Sequence, residues 1–166
     1  GVGLVGSEMC IRDRSLMIYS LVRYYVHKGL KILLVVPTTS LVEQMYKDFE
    51  EYGWDVKNHC HRIYSGREVT NSNEVTITTW QSVFRMEKSF FKDYDVIIGD
   101  EAHLFKSKSL VNIMTKLEHA KYRFGFTGTL DGTQTHKWVL EGLFGPSYKV
   151  TKTEELMRQG HLSQLD

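Results

Sequence analysis

The sequence predicts an α/β fold in which an open, mainly parallel sheet carries helices on both faces. Short apolar runs rich in β-branched residues alternate along the chain with longer stretches of helical periodicity. Apolarity within these runs is continuous, which is typical of strands buried on both faces. A chain of 166 residues, 42% of them hydrophobic, is long enough for one domain with an ordinary core.

Six runs are predicted to be strands. In chain order they are KILLVVP (31–37), HRIYSG (61–66), EVTITTW (74–80), DVIIGD (95–100), YRFGFTGT (122–129) and YKVTK (148–152). Amphipathic spacing predicts helices between them. They are indicated by SLMIYSLVRYYVHKG (15–29), by Leu41, Met45 and Phe49, and by Leu110, Ile113, Met114 and Leu117. Ligands of such sheets bind beyond the carboxyl ends of the strands, so those ends are where chemistry is expected.

The strand DVIIGD ends in Asp100, which is followed by Glu101, Ala102 and His103. Two adjacent carboxylates at the end of a buried strand cost desolvation energy unless they face water or a cation. One interpretation is structural, with Asp100 capping a helix and Glu101 in its first turn. The other is functional, with Asp100 holding Mg²⁺ and Glu101 orienting and deprotonating the water that attacks a γ-phosphate.

Hydroxyl-bearing residues follow two other strands. They are Thr38, Thr39 and Ser40 after KILLVVP, and Thr127 and Thr129, on either side of Gly128, after YRFGF. Hydroxyls and free N–H groups at a helix start suit a phosphate. Helix capping by Thr39 or Ser40 explains the first set equally well, and an ordinary glycine turn explains the second.

In this order and spacing, PTTSL, TTWQSV (78–83), DEAH and TGT resemble motifs Ia, Ib, II and III of superfamily two helicases of the DEAD/DEAH class. The resemblance covers residues 15–166 and favours DNA helicases and translocases, among them the phage UvsW type. It implies a RecA-like, P-loop NTPase type of fold. It also implies that His103 links the ATP site to motif III, and that Thr127, Gly128 and Thr129 couple hydrolysis to the nucleic-acid side. The residues implied to lie along the strand's phosphates are Thr38, Ser40, Thr79 and Gln81.

The opening stretch GVGLVGSEMCIRDRS lacks the phosphate-binding loop that this resemblance requires. Its G-x-G-x-x-G spelling carries little weight, because that pattern functions only between a strand and a helix. When G-x-x-x-x-G-K-[ST] is aligned on Ser15, the residue implied to contact ATP and Mg²⁺, Arg14 takes the place of the Lys. Asp13 and Glu8 then replace the two glycines, and their carboxylates would repel a polyphosphate. We therefore expect both the first strand and the phosphate loop to be missing.

Two explanations of this departure remain open. GSEMCIRDR resembles a peptide produced when short-read sequencing adapter is translated, which predicts that residues 1–14 are foreign to the gene. The helicase ATP-binding domain would then occupy residues 15–150, truncated at its start, and residues 151–166 would begin the connection to an absent second RecA-like domain. Alternatively, the chain is a natural pseudoenzyme that has lost its nucleotide site.

The sequence thus predicts a fragment of an ATP-dependent DNA helicase or translocase, a hydrolase that uses ATP and Mg²⁺ on single-stranded or branched DNA. The fragment itself is expected to be inactive. The alternatives are a catalytically dead nucleic-acid-binding module, a restriction translocase or an RNA helicase. A net charge of +1 gives no global basic field, so nucleic acid would bind a local surface. Cys10 and Cys60 form no disulfide framework, which predicts a cytoplasmic protein, in the host if phage-encoded.

Overall fold

The computed structural model describes residues 2–7, 11–64, 74–100, 107–116, 120–127 and 147–150. The strands are β1 (Val2–Ser7), β2 (Ile32–Val36), β3 (Cys60–Ile63), β4 (Val75–Thr79), β5 (Val96–Asp100), β6 (Tyr122–Thr127) and β7 (Ser147–Val150). The helices are α1 (Ile11–His27), α2 (Thr39–Glu51), α3 (Val56–His59), α4 (Trp80–Arg85) and α5 (Ser107–Lys116). A short 3-10 helix, Lys88–Phe91, follows α4. None of the described helices is long and apolar enough to cross a membrane.

These strands form one sheet in the order β3-β4-β2-β5-β6-β1-β7, and every neighbouring pair is parallel. Each of the six strands predicted from the sequence overlaps an observed strand. Because sequence neighbours are often separated in the sheet, the chain crosses over it repeatedly, and helices supply the crossovers. The predicted α/β class with a parallel sheet is confirmed.

Helices cover both faces of the sheet. Alternate residues of β2 belong to two separate core clusters, with Leu34 in one and Leu33 in the other. Apolar side chains of α1 and α2, among them Ile18 and Phe49, pack on the first face. The second face is covered by α4, the 3-10 helix and α5, which contribute Trp80 and other buried side chains. Burial on both faces explains why the strand sequences are apolar throughout.

Helices α1 and α2 end two residues before Gly29 and Gly53, whose φ angles are 78° and 97°. In both turns the glycine N–H donates to the carbonyl three residues earlier, and the next N–H donates to the carbonyl five residues earlier. A residue with a Cβ would be strained at such a positive φ. These two glycines therefore fix where the first two helices stop.

The expectation that the first strand is missing was wrong. Val2–Ser7 forms β1, which lies between β6 and β7, with Gly6 opposite Thr127 and Leu4 opposite Ser147. The sequence reasoning considered only the glycines of this segment, whereas its valines and leucine have the β-propensity that an interior strand requires. Its position as a strand leaves open whether residues 1–14 are native to the gene.

Candidate functional site

The carboxyl ends of the described strands meet along one edge of the sheet. Val36 at the end of β2 is opposite Thr79 at the end of β4, and Val35 is opposite Gly99 of β5. On the other side, Asp100 is opposite Phe126 of β6. The parallel register thus places the ends of the PTTSL, TTWQSV and DEAH strands next to one another, as the sequence predicts for a shared site.

Asp100, the last residue of β5, forms a buried ion pair with Arg14 in the first turn of α1. Oδ1 of Asp100 lies 3.3 Å from Nε of Arg14, and the two side chains are only 5% and 9% exposed. A guanidinium is the bulky, permanently charged alternative to the lysine ammonium. The carboxylate that the sequence predicts to hold a metal is therefore already neutralised by a cation from the chain itself.

The backbone of Asp100 is held from the opposite side of the sheet. Nε1 of Trp80, the first residue of α4, donates to the carbonyl of Asp100 at 3.2 Å. Trp80 is fully buried in the core cluster on the second face of the sheet. This hydrogen bond ties the end of β4 to the end of β5, although β2 lies between them. The Trp80 side chain therefore helps to hold these strand ends in register, in addition to the backbone hydrogen bonds of the sheet.

The structure does not bring Ser15 to Asp100. The Ser15 hydroxyl donates to Oδ2 of Asp48 at 3.0 Å and lies 3.8 Å from the sulfur of Met45, both on α2. The hydroxyl of Tyr52 in turn donates to Ser15 Oγ at 3.4 Å. Successive residues of a helix point about 100° apart, so Arg14 and Ser15 face different neighbours. In this structure the Ser15 hydroxyl therefore joins α1 to α2, and its role as an ATP and Mg²⁺ contact stays a prediction.

Replacing Ser15 by alanine should therefore lower the free energy of unfolding by about 1–2 kcal/mol, because the part-buried carboxylate of Asp48 loses a donor. Urea unfolding followed by circular dichroism measures the change. The matched control on the same helix is Ser20→Ala, whose hydroxyl donates only to the Leu16 carbonyl within α1 and should change stability by less than about 0.5 kcal/mol. Equal stability of the Ser15→Ala variant and the unmutated chain would contradict the contact between Ser15 and Asp48.

In this arrangement the residues do not fit a magnesium ion. Arg14 stands against the Asp100 carboxylate, and the Ser15 hydroxyl is engaged on α2. Among the residues that the structure describes, no group of three histidine, cysteine or acidic side chains could hold a metal. A second cation brought close to Arg14 would be repelled by it. We therefore derive no chemical step through Mg²⁺ at this site.

The four residues predicted to contact nucleic acid lie at this edge but differ in accessibility. Thr38 and Ser40 are exposed at the start of α2, and Gln81 is exposed in the first turn of α4. Thr38, rather than Thr39 or Ser40, caps α2 by accepting from the Leu41 N–H at 3.2 Å. Thr79 is only 5% exposed. Its hydroxyl accepts from the Ser82 N–H and donates to Ser82 Oγ, so Thr79 is a helix cap rather than an exposed contact.

The remaining predicted site residues lie wholly or partly outside the described part of the chain. Four of them have no described position, namely Glu101, His103, Gly128 and Thr129. For Thr127 only the backbone is described, as the last residue of β6, opposite Gly6 of β1. Their roles remain predictions.

Sequence reasoning missed two features of this edge. It treated Arg14 only as a substitute for lysine and did not consider it as the ion-pair partner of the buried Asp100 carboxylate. It also overlooked Phe84, which is 44% exposed on α4. The spacing of Gln81, Phe84 and Arg85 at i, i+3 and i+4 could have shown that these three share one face of the helix.

Comparisons with known proteins show the family to which the chain belongs. The family model described as "Type III restriction enzyme, res subunit" matches residues 14–132. The ATP-dependent DNA helicase UvsW of Enterobacteria phage T4 is 32% identical over 158 residues, which make up 92% of this chain and 31% of that protein. The chain therefore spans less than a third of the length of this curated relative.

Solved structures show the same similarity in three dimensions. The crystal structure of the UvsW helicase from bacteriophage T4 matches with a TM-score of 0.80 and 31% identity, covering 90% of this chain and 54% of that one. The Pyrococcus furiosus Hef helicase domain matches with a TM-score of 0.75 over 95% of this chain and 36% of that one. Its identity is 16%, so this second match supports the fold alone.

Proposed function

Since the chain belongs to the helicase family whose model is described as the type III restriction enzyme res subunit, we propose that it is the first RecA-like domain of an ATP-dependent DNA helicase or translocase. The longer protein of which it would form a part is called the parent protein below. The relative UvsW is named an ATP-dependent DNA helicase, which supports DNA and ATP as the parent's partners. The parent would act in the cytoplasm, and in the host cytoplasm if it is phage-encoded.

The observation that carries this proposal is the meeting of three strand ends at one edge. The register of β2, β4 and β5 supports a shared surface in which Thr38, Ser40 and Gln81 are exposed to a ligand. Exposed hydroxyl and amide groups at helix starts suit the phosphates of a nucleic-acid strand. In this proposal, Thr79 contributes indirectly by capping α4 and holding Gln81 in place.

We propose that this chain does not hydrolyse ATP. Arg14 pairs with Asp100, the candidate carboxylate of the hydrolytic site, and the Ser15 hydroxyl is occupied by Asp48. In the parent protein, ATP and Mg²⁺ would require a glycine-rich loop with a lysine directly before Ser15. The proposed bounds are 15–150 for the domain and 151–166 for the start of the connection.

Phosphate release by the purified chain tests this proposal. With ATP, Mg²⁺ and single-stranded DNA present, we expect no release above the rate without protein. The matched control is the first RecA-like domain of a relative with an intact phosphate loop joined to its second domain, which should show DNA-stimulated release. Measurable DNA-stimulated release from this chain would overturn the proposal.

A second candidate function is a catalytically dead nucleic-acid-binding module, and the Arg14–Asp100 ion pair favours it. The two candidates differ in what the gene encodes upstream of Ser15. Amplifying the source nucleic acid from the PTTSL codons and reading across the junction separates them. An in-frame Gly-Lys directly before Ser15 indicates an active parent and a foreign segment 1–14. The codons of SEMCIRDR at that place indicate the dead module.

A further inference from the structure

The exposed face of α4 continues the candidate nucleic-acid edge beyond Gln81. Gln81, Phe84 and Arg85 are all exposed, whereas Trp80 and Val83 of the same helix are fully buried. Positions i, i+3 and i+4 lie on one side of a helix, so the three exposed side chains form a continuous strip. The strip starts at the carboxyl end of β4, next to the end of β2 where Thr38 is exposed.

Phe84 is one of only two large hydrophobic side chains that are exposed among the described residues, the other being Val111. A ring that is 44% exposed loses part of the stabilisation that burial in the core would give. Large exposed apolar patches rimmed by polar groups mark binding surfaces, whereas a single exposed ring indicates a ligand only together with the charged groups around it. The exposure of the Phe84 ring is therefore not required for the structural support of α4.

The charge around Phe84 suits an anionic ligand. Segment 80–92 contains Arg85, Lys88 and Lys92 but a single acidic residue, Glu87. Nζ of Lys116 on α5 lies 5.6 Å from the centre of the Phe84 ring and donates to the carbonyls of Phe84 and Met86 at 2.9 and 3.1 Å. Lys116 thus caps the end of α4, holds Phe84 in place and adds positive charge beside the ring.

We propose that Phe84 and Arg85 bind single-stranded nucleic acid, with a base stacked on the Phe84 ring and a phosphate paired with the Arg85 guanidinium. The occupant is a single strand because an exposed ring stacks only on a base that is not already stacked in a duplex. One helical turn, about 5.4 Å, separates Gln81 from the Phe84–Arg85 pair, so consecutive nucleotides can reach both. The inference rests on the proposed function and extends its surface by one turn of α4.

The test is the affinity of the full chain for a fluorescently labelled oligothymidylate, measured by anisotropy at several salt concentrations. Phe84→Ala should weaken binding about tenfold and leave the salt dependence unchanged, because a neutral contact is lost. Phe84→Tyr keeps an aromatic ring and should bind like the unmutated chain. Arg85→Ala should reduce the slope of log affinity against log salt by about 0.7, because one phosphate contact is lost. Val111→Ala is the matched control for loss of an exposed apolar side chain and should bind normally.

An oligonucleotide with abasic sites isolates the stacking contact. The parent chain should bind the abasic strand about tenfold more weakly than the intact one, whereas Phe84→Ala should bind both alike. If Phe84→Ala binds intact strands as tightly as the parent chain, the inference is wrong and the proposed function stands. If the unmutated chain binds no single strand even at low salt, both the inference and the proposed function fail. If this face of α4 binds a protein segment but no single-stranded nucleic acid, the inference is also wrong.

Discussion

Arg14→Ala should lower the free energy of unfolding by about 3–5 kcal/mol, because it leaves the carboxylate of Asp100 buried without its cation. Oδ1 of Asp100 lies 3.3 Å from Nε of Arg14, and both side chains are more than nine-tenths buried. The penalty comes from desolvation of the uncompensated charge rather than from the attraction within the pair. Urea unfolding monitored by circular dichroism measures it.

Two further variants make this result specific. Arg23→Ala removes an exposed arginine from the same helix, which contacts Tyr19 and Trp54 through their ring faces, and should cost less than about 1 kcal/mol. The double variant Arg14→Met with Asp100→Leu removes both charges and should recover most of the lost stability. An Arg14→Ala variant as stable as the unmutated chain would mean that the ion pair does not form.

Trp80→Ala should also lower the free energy of unfolding by about 3–5 kcal/mol, because it opens a cavity beneath α4. Among the described residues Trp80 is the largest fully buried side chain, and it packs in the cluster that contains Leu33, Val35 and Ile97 of β2 and β5. The change also removes the donor to the Asp100 carbonyl, so the end of β5 loses a contact with α4. Thermal and urea unfolding measure the loss.

Trp80→Phe separates the two contributions. Phenylalanine keeps much of the apolar volume but leaves the buried Asp100 carbonyl without the indole donor, which should cost about 1–3 kcal/mol. The matched control is Phe84→Ala on the same helix, which removes an exposed ring and should change stability by less than about 0.5 kcal/mol. A loss below about 1 kcal/mol for Trp80→Ala would contradict its position in the core.

The sheet could be predicted from the sequence because burial on both faces requires uninterrupted apolar runs. Ile32–Val36 and Val96–Asp100 are each buried throughout, and both coincide with predicted runs to within one or two residues. The family motifs then placed the site at the carboxyl edge. In contrast, β1 was missed because its glycines and its position at the start of the chain were weighed instead of its strand propensity.

Side-chain partners within the site could not be predicted, because they depend on the rotation of a helix against its neighbours. Arg14 and Ser15 are adjacent in the chain, yet one faces Asp100 and the other faces Asp48. The motif assigns a residue type to each position but does not determine which neighbour its side chain meets. Thr79 shows the same limit, since a strand-end threonine serves equally well as a helix cap or as an exposed contact.

The most direct test of the account is a titration of a labelled single-stranded oligonucleotide with the purified chain, performed with and without ATP and Mg²⁺. The account predicts binding that weakens as salt rises, because the proposed contact between the Arg85 guanidinium and a phosphate releases a counterion. It also predicts the same affinity with and without nucleotide, because Arg14 already pairs with the Asp100 carboxylate that would otherwise hold the Mg²⁺ of ATP. An affinity that changes with ATP, or no binding even at low salt, would contradict it.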